Sequence, residues 1–290
     1  MRHLNRLFAV LASLAMLLSA PVLAAAVATV EAVQSPAWRD RGGLSVPLAA
    51  GMELASGDVV RTGAGARAYL MLAEGSRVKL GETARFTLHT RSLQPEKVFS
   101  GALDVLAGAF RFTTGKLSKA RSREVSIRVG TATIGIRGTD VWGKTDRDGD
   151  LVALIEGRID ITRAGQVTEM AQPMSYYDAP AAKAAEVKPL DAETFVKLAR
   201  QTDILVGDGA SRSRGKWRVL AGSASTEVAA LEIYDEVRDA GFAARIKPRQ
   251  ADGDAWSYDV VLTGFASAED AGVVAARLKA ATDLMPSVLR

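Results

Sequence analysis

The stretch Thr131 to Asp150, TATIGIRGTDVWGKTDRDGD, admits three readings, and the choice among them decides the fold. A phosphate loop needs Gly-x4-Gly-Lys-Ser/Thr between a strand and a helix. Gly130 and Gly135 have that spacing, but Ile136 and Arg137 follow, and strand-like sequence lies on both sides. A calcium loop is suggested by Asp146, Asp148 and Asp150 around Gly149. An EF-hand requires glycine at its sixth position and glutamate at its twelfth. Here glycine stands fourth and the twelfth position is Gly157. The third reading is a hairpin turning at Asp148-Gly149 and joining VWGKT to LVALIE. It fits best. Within it, TIGIRGTD is a strand whose glycines permit a bulge, with Arg137 free to pair a nearby carboxylate.

The same texture runs outward from Val27 to Asp178. AYLML, SRVKL and ARFTLHT are short runs with partial period-two alternation, rich in β-formers and separated by glycine turns. KVFSGALDVLAGAFRFTT and EVSIRVG continue the pattern. Ten or more short strands with almost no helix predict a sandwich, a barrel or a solenoid-like coil.

Composition shifts over residues 179–214. APAAKAAEVKP reads as an Ala/Lys/Pro linker that would let the flanking units act semi-independently. LDAETFVKLARQTDI reads as one short amphipathic helix with Asp191 as its N-cap, and VGDGASRSRGK then breaks all pattern.

From residue 215 to 290 a repeat is visible. Gly222-Ser-Ala-Ser225-Thr-Glu227 and Gly264-Phe-Ala-Ser267-Ala-Glu269 each follow a β-rich run. In each, the serine can cap a helix with an acidic first turn. Ser267-Ala-Glu-Asp270 approximates a capping box, and Ala240-Gly241 is a C-terminal stop. GFAARIKPR reads as a strand, ADGD as a turn and WSYDVVLTG as another strand, with a last short strand in PSVLR. The order βαββαβ predicts a ferredoxin-like α+β unit with one bare sheet face.

Bulk properties exclude much. The chain has 290 residues, no cysteine and two histidines, His3 and His89. Disulfides, thiolate metal sites and cysteine nucleophiles are ruled out, and neither a Ser-His-Asp triad nor a multi-histidine zinc site is expected. No cofactor or metal site is expected. MRHLNR, LFAVLASLAMLLS and PVLAAA have the order of a secretory leader, residues 1–26, with cleavage after Ala24 or Ala26. An uncleaved anchor is the competing reading, because no charge interrupts Leu7 to Val30. Losing Arg2 and Arg6 leaves 35 basic and 33 acidic residues, so the high pI is not a nucleic-acid footprint.

Three separated blocks carry a resemblance. Leu54-x2-Gly57-Asp58-Val-Val-Arg61-Thr62-Gly63, Gly75-Ser-Arg-Val-Lys-Leu80 and Gly135-Ile-Arg137-Gly138-Thr139 are similar to the FecR periplasmic domain, over residues 27–178. The resemblance implies an all-β, solenoid- or sandwich-like interaction domain. Trp217-Arg-Val-Leu-Ala-Gly-Ser223 and Tyr258-Asp-Val-Val-Leu-Thr-Gly-Phe265 resemble a SPOR domain, over residues 215–290. That family binds peptidoglycan glycan strands lacking stem peptides, on its open sheet face. Carried over by position, the glycan-binding residues are Leu220, Ser223, Trp256, Tyr258 and Asp259. Leu220 stands where glutamine is usual, and Asp259 where arginine or another polar residue is common. Trp256, Tyr258 and Ser223 suit sugar recognition by ring stacking and hydroxyl bonding. Region 216–283 holds 8 basic and 11 acidic residues, which predicts uncharged recognition.

The expectation is thus an exported, periplasmic, non-catalytic peptidoglycan-binding protein, concentrated where bare glycan appears, as at the division septum. Its β domain would meet an unidentified envelope protein. An envelope signalling regulator is the alternative, and a wall hydrolase built on Asp140 and Glu156 is a third. Nucleic acid is not an expected partner.

Overall fold

A computed structural model describes residues 26–94, 98–115, 122–250 and 255–290. The leader, apart from its last residue, and the ADGD turn lie outside the described residues.

The β-rich part is a sandwich of two sheets around one core. The first sheet begins with β3 (Leu44–Pro47), β2 (Ala37–Arg41), β5 (Val59–Thr62) and β8 (Arg85–Gln94). It continues through β9 (Val98–Thr113), β10 (Ser122–Val129), β11 (Ala132–Asp146), β12 (Gly149–Arg163) and β13 (Gln166–Met170). The second sheet runs from β15 (Glu186–Pro189) and β14 (Ser175–Pro180) through β12, β11 and β9 again. It ends with β7 (Arg77–Leu80), β6 (Arg67–Leu72) and β1 (Ala28–Gln34), the last flanked by β4 (Glu53–Leu54). Only the β9–β10 pairing is parallel among these.

Three long strands therefore belong to both sheets, and each turns its corner at a glycine of positive φ. β9 turns at Gly108 (φ +81°), β11 at Gly138 (+63°) and β12 at Gly157 (+87°). Side chains are excluded at two of them: a Cβ on Gly108 would lie 2.8 Å from that of Ala84, and one on Gly157 would overlap the Gly138 carbonyl. Each corner also shifts the inward phase by one residue. Leu103 and Val105 point inward before Gly108, whereas Phe110 and Phe112 do so after it. Ile134 and Ile136 give way to Val141 across Gly138, and Val152 and Leu154 to Ile159 and Ile161 across Gly157. The hairpin expected between β11 and β12 is present, with Arg147 and Asp148 at its tip and Gly149 already paired to Asp146.

The segment after β14 is not a free tether, contrary to the linker reading. β15 pairs with β14. Helix α1 (Ala192–Thr202) is capped by Asp191, whose carboxylate accepts from the Thr194 amide at 2.8 Å. Its Phe195 and Leu198 cover Trp142, Ala109 and Ala153 on the outer face of the second sheet. Asp203 pairs with Lys79 at 2.6 Å, and the Ile204 amide donates to the Tyr69 hydroxyl at 2.6 Å. β16 (Ala210–Arg212) then pairs with β1 and touches the C-terminal sheet at Phe265.

The C-terminal unit has the expected βαββαβ order. Its sheet runs β18 (Arg245–Gln250), β19 (Trp256–Phe265), β17 (Trp217–Ala224), β20 (Ser287–Leu289). Helices α2 (Glu227–Asp239) and α3 (Ala268–Ala281) bury Ala230, Val237, Ala271, Val274 and Leu278 against Val219, Val260 and Leu262. Thr226 caps α2, one position after the serine expected to do so, while Ser267 caps α3 by accepting from the Asp270 amide, and its hydroxyl donates to the Asp270 carboxylate. The unit docks on the sandwich where α2 ends. The Ala37 amide donates to the Gly241 carbonyl at 3.2 Å, and a Cβ on Gly241 (φ +84°) would run into Trp38 and Pro36. Arg277 of α3 reaches the Ser35 carbonyl from the same side.

Candidate functional site

Strand alternation sorts the C-terminal sheet into two faces. Val219, Ala221, Val260, Leu262 and Ile246 point at the helices. The residues between them point away from the helices, onto a face that no described helix or strand covers. Register sets them in rows, because directly opposed residues of an antiparallel pair share a face. Arg218 lies opposite Thr263 and Leu289, and Leu220 opposite Val261 and Ser287. Ser223 lies opposite Asp259, which lies opposite Lys247, and Ser257 opposite Arg249. Arg245 completes the Leu220–Val261 row.

Three of the five glycan candidates therefore meet on the open face. Ser223 donates to Asp259 at 2.7 Å, and Arg249 reaches the same carboxylate at 3.3 Å. Leu220 sits one row away beside buried Val261. Tyr258 and Trp256 do not join them, and the expectation for both is corrected. Each is an even step from Val260, so the pleat turns both to the helix side. Tyr258 packs on the helix-side core, and its hydroxyl donates to Glu227 at 3.3 Å. Partial burial, then the Glu227 charge, push its phenol above the ordinary value. Trp256 is 53% exposed at the end of β19 opposite Gln250. The open face has no aromatic ring among its described residues.

What sequence reading missed on this face is charge. Arg218, Arg245, Lys247 and Arg249 all project from it, against Asp259 alone among the described acids. Most of the remaining acids, including Glu227, Glu232, Asp235, Glu236, Glu269 and Asp270, lie on the helices. Counting charge over residues 216–283 averaged two faces of opposite sign. The available signal was R-I-K-P-R at residues 245–249, basic at every second position of a strand.

The sequence blocks of the β unit have structural employment. Gly57 (φ +90°) makes the turn that brings Asp58 under Arg41, with both carboxylate oxygens bonded at 2.6 Å. Burial pushes the Asp58 carboxyl up, but the Arg41 bonds and the Ala55 amide outweigh that and hold it below the ordinary value. Thr62 bridges the Gly81 carbonyl and the Ala84 amide. Gly63 lets Pro36 approach, its virtual Cβ falling 2.8 Å from the Pro36 ring. The Arg137 side chain lies outside the described residues.

Asp140 and Glu156, the hydrolase pair, do stand opposite each other on β11 and β12. Both oxygens of Asp140 are held by Arg111, at 2.9 and 2.8 Å, which leaves no free lone-pair edge for proton transfer along that fork. The aspartates of the opening stretch diverge. Asp150 is buried and accepts from the Thr131 amide and hydroxyl, whereas Asp146 pairs with Lys144. Among the described residues no three acidic or histidine side chains converge as a metal site.

Comparison with known proteins agrees with the two resemblances. The model of the family described as FecR protein matches residues 58–160, and that of the SPOR domain matches residues 213–290. The chain carries a FecR domain followed by a SPOR domain, both envelope-associated, non-catalytic families. No curated protein matches it. Two crystal structures of a protein provisionally named an anti-sigma factor, from Parabacteroides distasonis ATCC 8503, are similar in part. One, at 1.65 Å, is 12% identical, covers 67% of this chain and 95% of that one, and has a TM-score of 0.38. The other, at 2.50 Å, is 13% identical over 76% and 90%, with a TM-score of 0.39. Among the described residues no helix is long and apolar enough to cross a membrane.

Proposed function

We propose that this is a non-catalytic periplasmic protein that holds peptidoglycan glycan strands lacking stem peptides on the open face of its C-terminal sheet. The observation that carries the reading is that face: a SPOR-matched sheet that no described element covers, with Leu220, Ser223 and Asp259 gathered on it. Stripped glycan is produced where daughter cells separate, so the division septum is its place of action. The sandwich is the part that meets a protein partner, and residues 1–26 are the leader that exports the chain.

A second reading, an envelope signalling regulator, is favoured by the docking of the two units. β16 is paired to both sheets and Gly241 seats against Trp38, so an event at the glycan face has a packed route to the sandwich. Copurification of a membrane sensor with the chain would favour that reading over a purely anchoring role.

The test is co-sedimentation of the full chain with sacculi, untreated or stripped of stem peptides by an amidase. Binding should rise on stripping and be lost in Ser223→Trp, which sets an indole on the face. Trp256→Ala should bind as the parent does. Equal binding to both preparations, or none to either, overturns the proposal.

A further inference from the structure

We infer that the open face recognises its glycan through the carboxylates of that glycan, so that the ligand is a polyanionic saccharide. The inference rests on the glycan reading above and adds the chemical group that is read. Arg245, Lys247 and Arg249 occupy alternate positions of β18 and point to one side, a spacing of about 7 Å between successive cations. Arg218 adds a fourth charge across the sheet. Arg245, Lys247 and Arg249 are exposed, and among the described residues β18 is an edge strand, paired only with β19. A linear ligand can lie along it without meeting a further strand.

The charge is also unbalanced between the layers. Asp259 is mostly buried, with its oxygens engaged by Ser223 and Arg249. It fixes the row of the face in place and neutralises one cation at most. Among the described residues Arg245 has no acid in its row, Leu220–Val261–Arg245, whereas Lys247 lies opposite Asp259, the one carboxylate it would share with Arg249. Such a stripe is complementary to a chain of regularly spaced anions.

Among anionic polymers, the face selects. Single-stranded nucleic acids bound without sequence preference are held by base stacking on aromatic platforms. This face has none among its described residues, the rings having turned to the helix side. A membrane surface would call for exposed apolar side chains beside the cations. Here Val261 is buried and Leu220 half-buried, which leaves a shallow apolar floor suited to a sugar ring. Removing a stem peptide hydrolyses the amide that joins it to the lactyl group of muramic acid. Water supplies the hydroxyl to the acyl carbon and the proton to the departing amine. The product carries one free carboxylate per muramic acid, a repeating anion absent from the peptide-bearing strand. Arginine and lysine bind such groups by charge-assisted hydrogen bonds.

The experiment uses the full chain and stripped sacculi freed of phosphate polymers by hydrofluoric acid. One portion is left as free acid, and in the other the carboxylates are converted to neutral amides with carbodiimide and methylamine. Binding to the amidated portion should fall by about tenfold, the order expected when two or three exposed charge-assisted contacts are lost. Raising salt from about 50 to about 300 mM should weaken binding to the free acid and leave the amidated portion unaffected. R245Q/K247Q should reproduce the loss on free acid, with an unchanged melting curve, while Lys279→Gln on the helix layer should not. Equal binding to acid and amide overturns the inference and leaves the glycan reading standing. Failure to bind either portion overturns both. Binding of a DNA oligonucleotide or phosphatidylglycerol vesicles as tightly as the free acid overturns the selectivity for glycan.

Discussion

The outer face of the second sandwich sheet and the open face of the C-terminal sheet both lack a second sheet to pack on, and the chain treats them in opposite ways. The outer face of the second sandwich sheet presents Ala109, Trp142 and Ala153, and α1 is laid across it. The open face of the C-terminal sheet presents Arg218, Arg245, Lys247 and Arg249, and no described element covers it. The first face is apolar, so its contact with water is unfavourable and a neighbouring stretch of chain was recruited to remove it. The second is cationic, well solvated when free, and gains from contact only with something of opposite charge. Composition thus separates a face that the chain closes over from one that it leaves to water.

The comparison can be broken most easily at Trp142. Trp142→Ala should cost about 3–5 kcal/mol in denaturant unfolding, because it empties the seat of α1. A loss under about 1 kcal/mol would mean that the helix is an ornament on an already stable sheet. Leu198→Ala, on the helix side of the same contact, should cost about 2 kcal/mol. Amides of α1 should then exchange faster than those of β9 and β11 beneath it.

Acid should separate the two units next. Asp58 and Asp40 are both held below the ordinary value: burial pushes Asp58 up but the Arg41 and Ala55 hydrogen bonds prevail, and in Asp40 the Arg61 hydrogen bond outweighs burial. Their contribution to stability is complete above the ordinary carboxylate value and is lost as pH falls through the lower folded value. Lowering the pH from about 6 to about 2 should therefore loosen the sandwich before the C-terminal unit. Asp58→Asn should be less stable than the parent near neutrality by about 2 kcal/mol and lose less on acidification. Identical acid profiles for parent and variant would remove Asp58 from the account.

The smallest effect sharpens the contrast. Lys247→Gln should change stability by no more than about 0.5 kcal/mol, since the side chain is exposed. A marked destabilisation would mean that the open face is a structural surface after all.

Much of this was readable from the chain. Asp191, Ser267 and Gly241 announced helix ends by local chemistry, which depends on a few neighbouring residues and survives in any context. The open face itself follows from βαββαβ order. Its membership was harder, because a bulge between Leu220 and Gly222 resets which residues of β17 share a side, and motif position alone sent Tyr258 to the wrong one. The tether reading of residues 179–214 failed for a different reason. APAAKAAEVKP has linker composition, but Trp142, more than thirty residues upstream, supplies the apolar seat on which α1 is ordered. Long-range burial overrides local preference, and no window of sequence holds both partners.

The corner glycines make each of three long strands behave like two phrases in different reading frames. Before Gly138 the even positions of β11 face the core, and after it the odd ones do. Ile136 and Val141 are both inward although five residues apart, an odd step that only the corner reconciles with one core. Deleting Gly138 would make that step even, so Val141 would keep its side on a straight strand and the bend that carries β11 from one sheet to the other would be lost. Evolution can lengthen this fold at its hairpin tips, where phase is immaterial, but a one-residue change at a corner rewrites half a sheet.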